Sequence, residues 1–397
     1  MDMTTSLSPD SSRPLINRSP VLISALLALI LYGLVFFNAG WRLASLFLTG
    51  LAAGVILYHA SFGFTAAWRE MALSGRSGGL RAQMIMLAIT VAVFTPLIAQ
   101  GEFGGIALRG SVAPLNLALV TGAFLFGIGM QLGGGCASGT LFTVGGGNAR
   151  MLITLAGFIA GSLLGSWHWS SWQGAPGLEP MSLSNSLGAM GGILVSLVIF
   201  IAVYICASGW EKYKRGEVES TLTASMHSPS LLRGPWPLLT GALALAAVNV
   251  TTLLLAGRPW GVTSGFALWG AKIAGVVGLD VSSWPYWSRS AQAASLQNSV
   301  LLDITSVMNF GIILGALMAA GLAGKFAPSL KIPGKSIIAA ILGGLMLGYG
   351  ARIAFGCNIG AYFGGISSTS LHGWLWFVAA FLGSSLGTRI RPWFGLR

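Results

Sequence analysis

The sequence contains few charged residues. Asp, Glu, Lys and Arg together make up 8% of its 397 residues, whereas they account for about a quarter of a typical soluble domain. The hydrophobic share is 54%, and the mean hydropathy is +0.77. This shortage of charge excludes a soluble globular domain and indicates an integral membrane protein. The sequence also lacks the strict apolar–polar alternation of membrane β-strands, so we expect an all-α fold.

Cysteine and histidine are equally scarce. The chain has three cysteines and four histidines. Three cysteines cannot form a disulfide framework, and no two of them form a CxxC pair. The scattered histidines provide no cluster of metal ligands. We therefore expect neither a metal nor a cofactor, and each cysteine has to be interpreted individually.

Acidic residues are outnumbered by basic ones, which gives a net charge of +12. Nucleic-acid binding is the weaker explanation, because membrane proteins accumulate Lys and Arg in their cytoplasmic loops. Basic residues cluster near Arg76, in the polar segment 208–235, in 325–335 and at the carboxyl end. The Trp-containing segments 167–186 and 281–286 have few charges. We therefore expect a multi-pass protein with both termini cytoplasmic, in contact with lipid and not with nucleic acid.

The long apolar runs predict nine or ten membrane-spanning helices, because about 20 residues cross a bilayer. The runs are 21–37, 41–58, 84–99, 115–133, 151–167, 187–206, 238–256, 308–322, 337–355 and 373–387.

Two glycine-rich stretches resemble each other across the chain. GIGMQLGGGCASGTLFTVGGG begins at Gly127, and GYGARIAFGCNIGAYFGG begins at Gly348. Aligned at an offset of 221 residues, they pair Cys136 with Cys357, Gly135 with Gly356, and Gly139 with Gly360. The segment before the first stretch is expected outside, whereas the basic segment before the second is expected inside. Equivalent helices then enter from opposite sides, which predicts an inverted, pseudo-two-fold repeat.

This repeat predicts the division of the chain. Residues 1–20 are expected to form a cytoplasmic tail, 21–207 the first membrane repeat, 208–235 a cytoplasmic linker and 236–397 the second repeat.

The glycine runs should interrupt the helices at membrane depth, where irregular backbone is tolerated only inside protein or beside a cavity. The segments 137–144 and 358–364 are too short to cross the membrane. We predict two re-entrant half-helices, each beginning near its cysteine. Their free N–H groups carry a partial positive charge and attract anions. Cys136, Cys357 and the four paired glycines should therefore line a pathway for an anion that contains a soft sulfur atom.

Isolated polar residues in apolar surroundings are further candidates for this pathway. Arg352 precedes Cys357 and aligns with Gln131, and we predict that both side chains face the pathway. Lys272 and Asp303 are candidates for the pathway or for proton coupling, with a structural ion pair as the alternative. Cys206 aligns with neither repeat and is predicted to have a packing role.

The chain resembles the YeeE/YedE family of bacterial inner-membrane transporters of sulfur compounds. The resemblance is carried by GGGCASG, by AFGCNIGAYFGG, by FGFTAAWRE from Phe62 and by LLDITSVMNFGIILGA from Leu301. It implies an inner-membrane location, uptake of thiosulfate along a central path with cysteines at its constriction, and a small cytoplasmic sulfurtransferase as partner. Cys136 and Cys357 match two of the family's cysteines. Gly63 occupies the position of the third.

The leading hypothesis is therefore a transporter that takes up a small sulfur-containing anion, most simply thiosulfate, and not an enzyme. Two alternatives remain open. One is transport of another sulfur or selenium oxyanion, because Gly63 replaces the third cysteine. The other is a membrane thiol enzyme, a sulfurtransferase that carries persulfide on Cys136 or Cys357.

Overall fold

The computed structural model describes residues 16–220 and 232–396. Within these residues almost all regular structure is helical, and the strands are only two residues long. Eight of the described helical segments are long and apolar enough to cross a membrane. The protein is therefore an all-α multi-pass membrane protein, as its composition predicts.

The helices are numbered in chain order. They are α1 Arg18–Ala60, α2 Phe64–Ser74, α3 Gly78–Gln100, α4 Leu117–Gly133, α5 Ala137–Gly145, α6 Ala149–Trp167, α7 Trp169–Gln173, α8 Leu183–Arg215, α9 Leu238–Ala256, α10 Thr263–Val276, α11 Ser290–Gln297, α12 Ile304–Leu322, α13 Gly334–Ile353, α14 Gly364–Ser367 and α15 Leu371–Ile390. A π-helical turn, Asn358–Phe363, precedes α14. The strands are β1 Glu102–Phe103, β2 Ile106–Ala107, β3 Leu115–Asn116 and β4 Gly177–Leu178, which pair antiparallel as β1–β2 and β3–β4.

The helix α1 reverses its direction at Gly40, which has a left-handed φ of 79°. The amide of Asn17 donates to the carbonyl oxygen of Gly321 at 2.9 Å, whereas Gly54 packs against Ala316. A straight helix would separate Asn17 from Gly54 by about 55 Å, but Gly321 and Ala316 lie only about 8 Å apart along α12. The two arms of α1 therefore cross separately. With the 20-residue α15, the described residues contain ten long helices, within the predicted nine or ten.

The helices α4 and α13 pack antiparallel through glycines. A Cβ at Gly122 would lie 2.7 Å from the carbonyl oxygen of Gly350, and one at Gly129 would lie 2.8 Å from that of Gly343. Residue numbers thus rise along α4 as they fall along α13. Small residues at membrane helix interfaces permit such a close approach. Equivalent helices of the two halves run in opposite directions, as the inverted repeat requires.

The helices that follow the two cysteine segments interlock the halves. From the first half, α6 packs along α13, where a Cβ at Gly161 would lie 2.3 Å from the carbonyl oxygen of Leu345. From the second half, α15 packs along α4, where a Cβ at Gly383 would lie 2.1 Å from the carbonyl oxygen of Phe124. Each half therefore contributes a helix to the packing of the other.

The loops of the described residues collect at two ends of the molecule. The basic face holds the loops that contain Arg76 and Lys325, which line neighbouring cavities with Pro235. The tryptophan-rich face is the opposite end, where β3 pairs with β4 and the ring of Trp169 contacts that of Tyr286.

The predicted division into repeats 21–207 and 236–397 stays a prediction. Residues 1–15 of the expected tail and 221–231 of the expected linker lie outside the described residues. The beginning of the linker, 208–215, continues α8 as helix.

Candidate functional site

Cys136 connects α4 to α5 and is the N-cap residue of α5. The chain leaves α4 through Gly134, whose φ of 96° is left-handed. The thiol is buried, with Sγ 3.5 Å from the hydroxyl oxygen of Ser138. The amides of Ser138 and Gly139 interact with the sulfur, although neither forms a full capping hydrogen bond. The short helix therefore begins at the cysteine, as predicted, with its free N–H groups beside the thiol.

Cys357 occupies the equivalent position in the second half. It is fully buried and is the N-cap residue of the π-helical turn. Gly356 before it has a φ of 149°, and the amide of Tyr362 donates to the Cys357 carbonyl oxygen at 3.3 Å, which widens the turn. The amides of Ile359 and Gly360 interact with the sulfur. The second short helix thus also begins at its cysteine, but its first turn is π-helical.

The two cysteine segments meet inside the protein. Cys136 and Cys357 are both buried and belong to the same hydrophobic cluster. The helix α5 also packs against the π-helical turn. Each segment presents the electropositive amino end of a helix. The structure therefore brings two buried thiols and two sets of free N–H groups together.

A cavity of about 290 Å³ opens at the basic face. Its lining includes Gly63 and Gln83. The side-chain oxygen of Gln83 accepts hydrogen bonds from the hydroxyl of Tyr362 and from the indole N–H of Trp68, both at 3.2 Å. Tyr362 belongs to the π-helical turn. The Cys357 segment is therefore linked directly to the wall of this cavity.

A second cavity, of about 280 Å³, opens at the tryptophan-rich face. Gly356 and Gly360 line it. The π-helical turn therefore lines this cavity through Gly360 and is hydrogen-bonded to the wall of the basic-face cavity through Tyr362. Its other polar and charged lining residues are Ser111, Arg258, Thr263, Ser264 and Arg352. These described lining residues include two arginines and no carboxylate. The cavity is therefore suited to an anion.

The two arginines are hydrogen-bonded to neutral hydroxyl groups. Arg352 donates to the hydroxyl of Tyr286, and its guanidinium carbon lies 4.9 Å from the centre of the Tyr286 ring. Arg258 donates to the hydroxyl of Thr305 at 2.9 Å. Arg352 has a neutral partner in this contact, whereas Arg258 also lies close enough to the carboxylate of Asp303 to interact with its charge. Arg352 was predicted to face the pathway, and it lines this cavity.

Gln131, which was predicted to face the pathway, lines neither of these two cavities and instead connects neighbouring helices by hydrogen bonds. Its side-chain amide donates to the carbonyl oxygen of Thr65 at 3.0 Å and to the hydroxyl of Ser384 at 2.8 Å. These bonds join α4 to the beginning of α2 and to α15. Gly135 is also closely packed, because a Cβ there would lie 3.1 Å from the terminal carbon of Met151.

Lys272 and Asp303 have structural contacts. The ammonium of Lys272 donates to the carbonyl oxygen of Leu296 at 2.9 Å and lines a separate cavity beside Asp280. Asp303 is the N-cap residue of α12 and accepts from the amide and the hydroxyl of Ser306, both at 2.7 Å. None of these hydrogen bonds connects Lys272 or Asp303 to the two cysteine segments.

Sequence reasoning missed Gln83 and Arg258, which line the two cavities, and Tyr362, which donates a hydrogen bond to Gln83. Gln83 is a lone amide in an apolar helix, a signal that could have identified it. The other two lie in segments whose roles depend on long-range contacts. Among the described residues no group of three His, Cys, Asp or Glu is placed to hold a metal, and Cys206 is exposed on α8.

Gly63 lies at the wall of the basic-face cavity as the N-cap residue of α2. Its φ is −113°, which any residue can adopt, and a Cβ at this position would have the Cβ of Ala66 as its nearest neighbour, at 3.8 Å. A side chain at this position therefore meets no steric obstacle in the backbone or its neighbours.

We expect Gly63→Cys to fold normally and to place a third thiol in the basic-face cavity. If the hypothesis of a cysteine-lined thiosulfate path is correct, its initial rate of thiosulfate uptake should equal or exceed that of the wild type, because the new thiol adds a soft contact. Gly63→Ser, which adds a hydroxyl of similar size, is the matched control. A Cys variant that is folded but slower than the Ser variant would contradict this role for the position.

Comparison with known proteins decides the family. Residues 59–386 match the sequence profile described as sulphur transport. The chain belongs to the sulphur transport family. This agrees with the YeeE/YedE resemblance of its glycine–cysteine motifs.

Relatives in this family carry transporter names. The chain is 29% identical over 352 residues to the thiosulfate transporter TsuA of Spirochaeta thermophila, covering 85% of this chain and 95% of the relative. It is 23% identical over 357 residues to the thiosulfate transporter TsuA of Escherichia coli, covering 85% and 93%. The probable transporter YedE of Escherichia coli is 31% identical over 154 residues, covering 39% and 37%. The chain is thus a sulfur-compound transporter by family, and these names agree with its not being an enzyme.

Proposed function

We propose that the protein takes up thiosulfate through a path between its two cavities, past Cys357 and Cys136. The observation that carries this proposal is the π-helical turn, which has a buried thiol at its beginning. Through Gly360 it lines the tryptophan-face cavity, and through Tyr362 it is hydrogen-bonded to Gln83 in the wall of the basic-face cavity. The thiosulfate transporter names of two relatives support the substrate. Thiosulfate combines negative oxygens, which suit free N–H groups, with a terminal sulfur, which suits a thiol.

We propose that the path runs inward from the tryptophan-rich face. The cavity there has two arginines, whereas the basic-face cavity contains Glu70 and the ion pair of Arg76 with Glu219. An anion would collect in the first cavity. Following the positive-inside rule, we propose that the basic face and both termini lie on the cytoplasmic side of a bacterial inner membrane. A cytoplasmic sulfurtransferase that receives the substrate at this face is part of the proposal.

Transport of labelled thiosulfate into proteoliposomes that contain the purified protein tests this function. We expect uptake that depends on the protein and that unlabelled thiosulfate competes away more effectively than sulfate, because sulfate lacks the terminal sulfur. Competition by sulfite, selenite and selenate separates thiosulfate from the alternative oxyanions. No uptake above that of empty liposomes, with correctly folded protein, would refute the function.

Gly360→Ala should reduce this uptake several-fold without loss of folded protein. Gly360 lines the tryptophan-face cavity, and a Cβ there would have no heavy atom within 4 Å. The methyl group therefore projects into the route and not into the protein. Gly275→Ala, also in open space, is the control and should transport normally. Wild-type uptake by the Gly360 variant would place the route elsewhere.

A further inference from the structure

Asn358 has a buried amide that forms no hydrogen bond among the described residues. Its side chain is fully buried, and neither its oxygen nor its nitrogen has a partner. Burying an unpaired amide is unfavourable, and nearly all buried polar groups in proteins are paired. An amide retained in this state therefore requires an explanation beyond packing.

The position of Asn358 in the chain supplies that explanation. It follows Cys357 directly and is the first residue of the π-helical turn. Residues on either side of it, Gly356 and Gly360, line the tryptophan-face cavity. Isolated π-helical turns are frequent at functional sites. The unpaired amide thus lies between two residues that line the cavity, beside the proposed path.

The two halves differ at this point. The residue that corresponds to Asn358 in the first half is Ala137, which has no polar side chain. There the polar group is the hydroxyl of Ser138, which already contacts the Cys136 sulfur at 3.5 Å. The amide of Asn358 is therefore the polar side-chain group beside a cysteine that is left available for a ligand.

We propose that Asn358 binds the substrate and restricts it to sulfur anions that carry oxygen. This inference rests on the proposed function. The side-chain N–H group donates to an oxygen of the anion, while the thiol of Cys357 contacts its terminal sulfur. A neutral amide pairs with the anion without holding it as a buried charge would, and conduction requires a ligand that can leave. An anion with sulfur but no oxygen, such as hydrosulfide, gains nothing from this amide.

The experiment compares the wild type with Asn358→Leu, a variant of similar volume that has no polar group. Melting temperature in detergent, with and without thiosulfate, and proteoliposome uptake are measured. Without thiosulfate the variant should melt at or above the wild-type temperature, because an unpaired buried amide has been removed. The thiosulfate-induced rise in melting temperature should disappear, and uptake should fall about tenfold or more, the effect of one hydrogen bond to a charged group.

Asn309→Leu is the matched control. The buried amide of Asn309 donates to the carbonyl oxygen of Val262 at 3.0 Å, so it has a structural partner. Its loss should lower the melting temperature. If Asn358→Leu behaved like Asn309→Leu and kept the thiosulfate response, Asn358 would have a structural role and the proposal would be overturned.

Asn358→Ala also removes the donor, and its side chain is smaller than that of leucine, so it adds no group that the buried site must accommodate. It should also lose the thiosulfate response, and a retained response overturns the proposal even if the leucine variant does not fold. The results distinguish failure of the proposed function from failure of the role of Asn358. A folded wild type that neither binds nor transports thiosulfate refutes the proposed function together with this inference. A wild-type response that both Asn358 variants retain refutes the role of Asn358 alone.

Discussion

Cys136→Ala and Cys357→Ala are each expected to abolish growth on thiosulfate in a bacterium that lacks its own sulfur uptake. Each substitution removes the soft contact at the beginning of a short helix while leaving the free N–H groups in place. We expect initial uptake of labelled thiosulfate to fall at least about tenfold, the loss of one contact of about 1.4 kcal/mol. Growth and uptake are measured in the same strain.

Cys206→Ala is the matched control for these variants. Cys206 is exposed on α8, outside both cysteine segments, so its loss should leave growth and uptake unchanged. The amount of each variant in the membrane is measured, because Cys136 and Cys357 are buried and their removal leaves a small void. Loss of uptake in Cys206→Ala alone would show that the site has been assigned to the wrong cysteines.

Gly348→Val is expected to prevent assembly of the folded protein. A Cβ at Gly348 would lie 2.1 Å from the carbonyl oxygen of Phe158 and 2.4 Å from the amide nitrogen of Ser162. Because these neighbouring atoms belong to the backbone of α6, a side-chain rotation cannot relieve the clash, and α13 and α6 would have to move apart. Overpacking of this kind costs about 3 kcal/mol or more. We expect little monodisperse protein by size-exclusion chromatography.

The matched control for Gly348→Val is Gly33→Val in α1. A Cβ at Gly33 would have no heavy atom within 4 Å, so this variant should purify at the wild-type yield. Wild-type yield and melting temperature for Gly348→Val would contradict the close packing of α13 on α6, and with it the geometry that brings the two cysteine segments together.

The local features of this fold could be predicted from the sequence. The glycines around Cys136 and Cys357 disrupt helices, and the short segments after them begin where the motifs indicate. The separate apolar runs before and after Gly40 also predicted two spans, and the left-handed φ of Gly40 makes the reversal between them. In each case a few adjacent residues determine the backbone.

The contacts between distant segments could not be predicted. The hydrogen bond from Tyr362 to Gln83 joins residues from opposite halves, and the missing partner of Asn358 is visible only when all its neighbours are in place. Lys272 could not be assigned for the same reason, since its partner Leu296 lies 24 residues away. For Asp303 a local signal did exist, because an acidic residue before an apolar helix is a common N-cap.

The proposed path past Cys136 and Cys357 is tested most directly by whether thiosulfate protects the two thiols from modification. In the Cys206→Ala background, Cys136 and Cys357 are the remaining cysteines of the chain. The purified protein in liposomes is treated with N-ethylmaleimide, with and without thiosulfate, and modification of each cysteine is followed by mass spectrometry. Thiosulfate is expected to slow modification of both cysteines, whereas an equal concentration of sulfate should slow it less. Equal rates of modification with and without saturating thiosulfate would contradict a thiosulfate path past these cysteines.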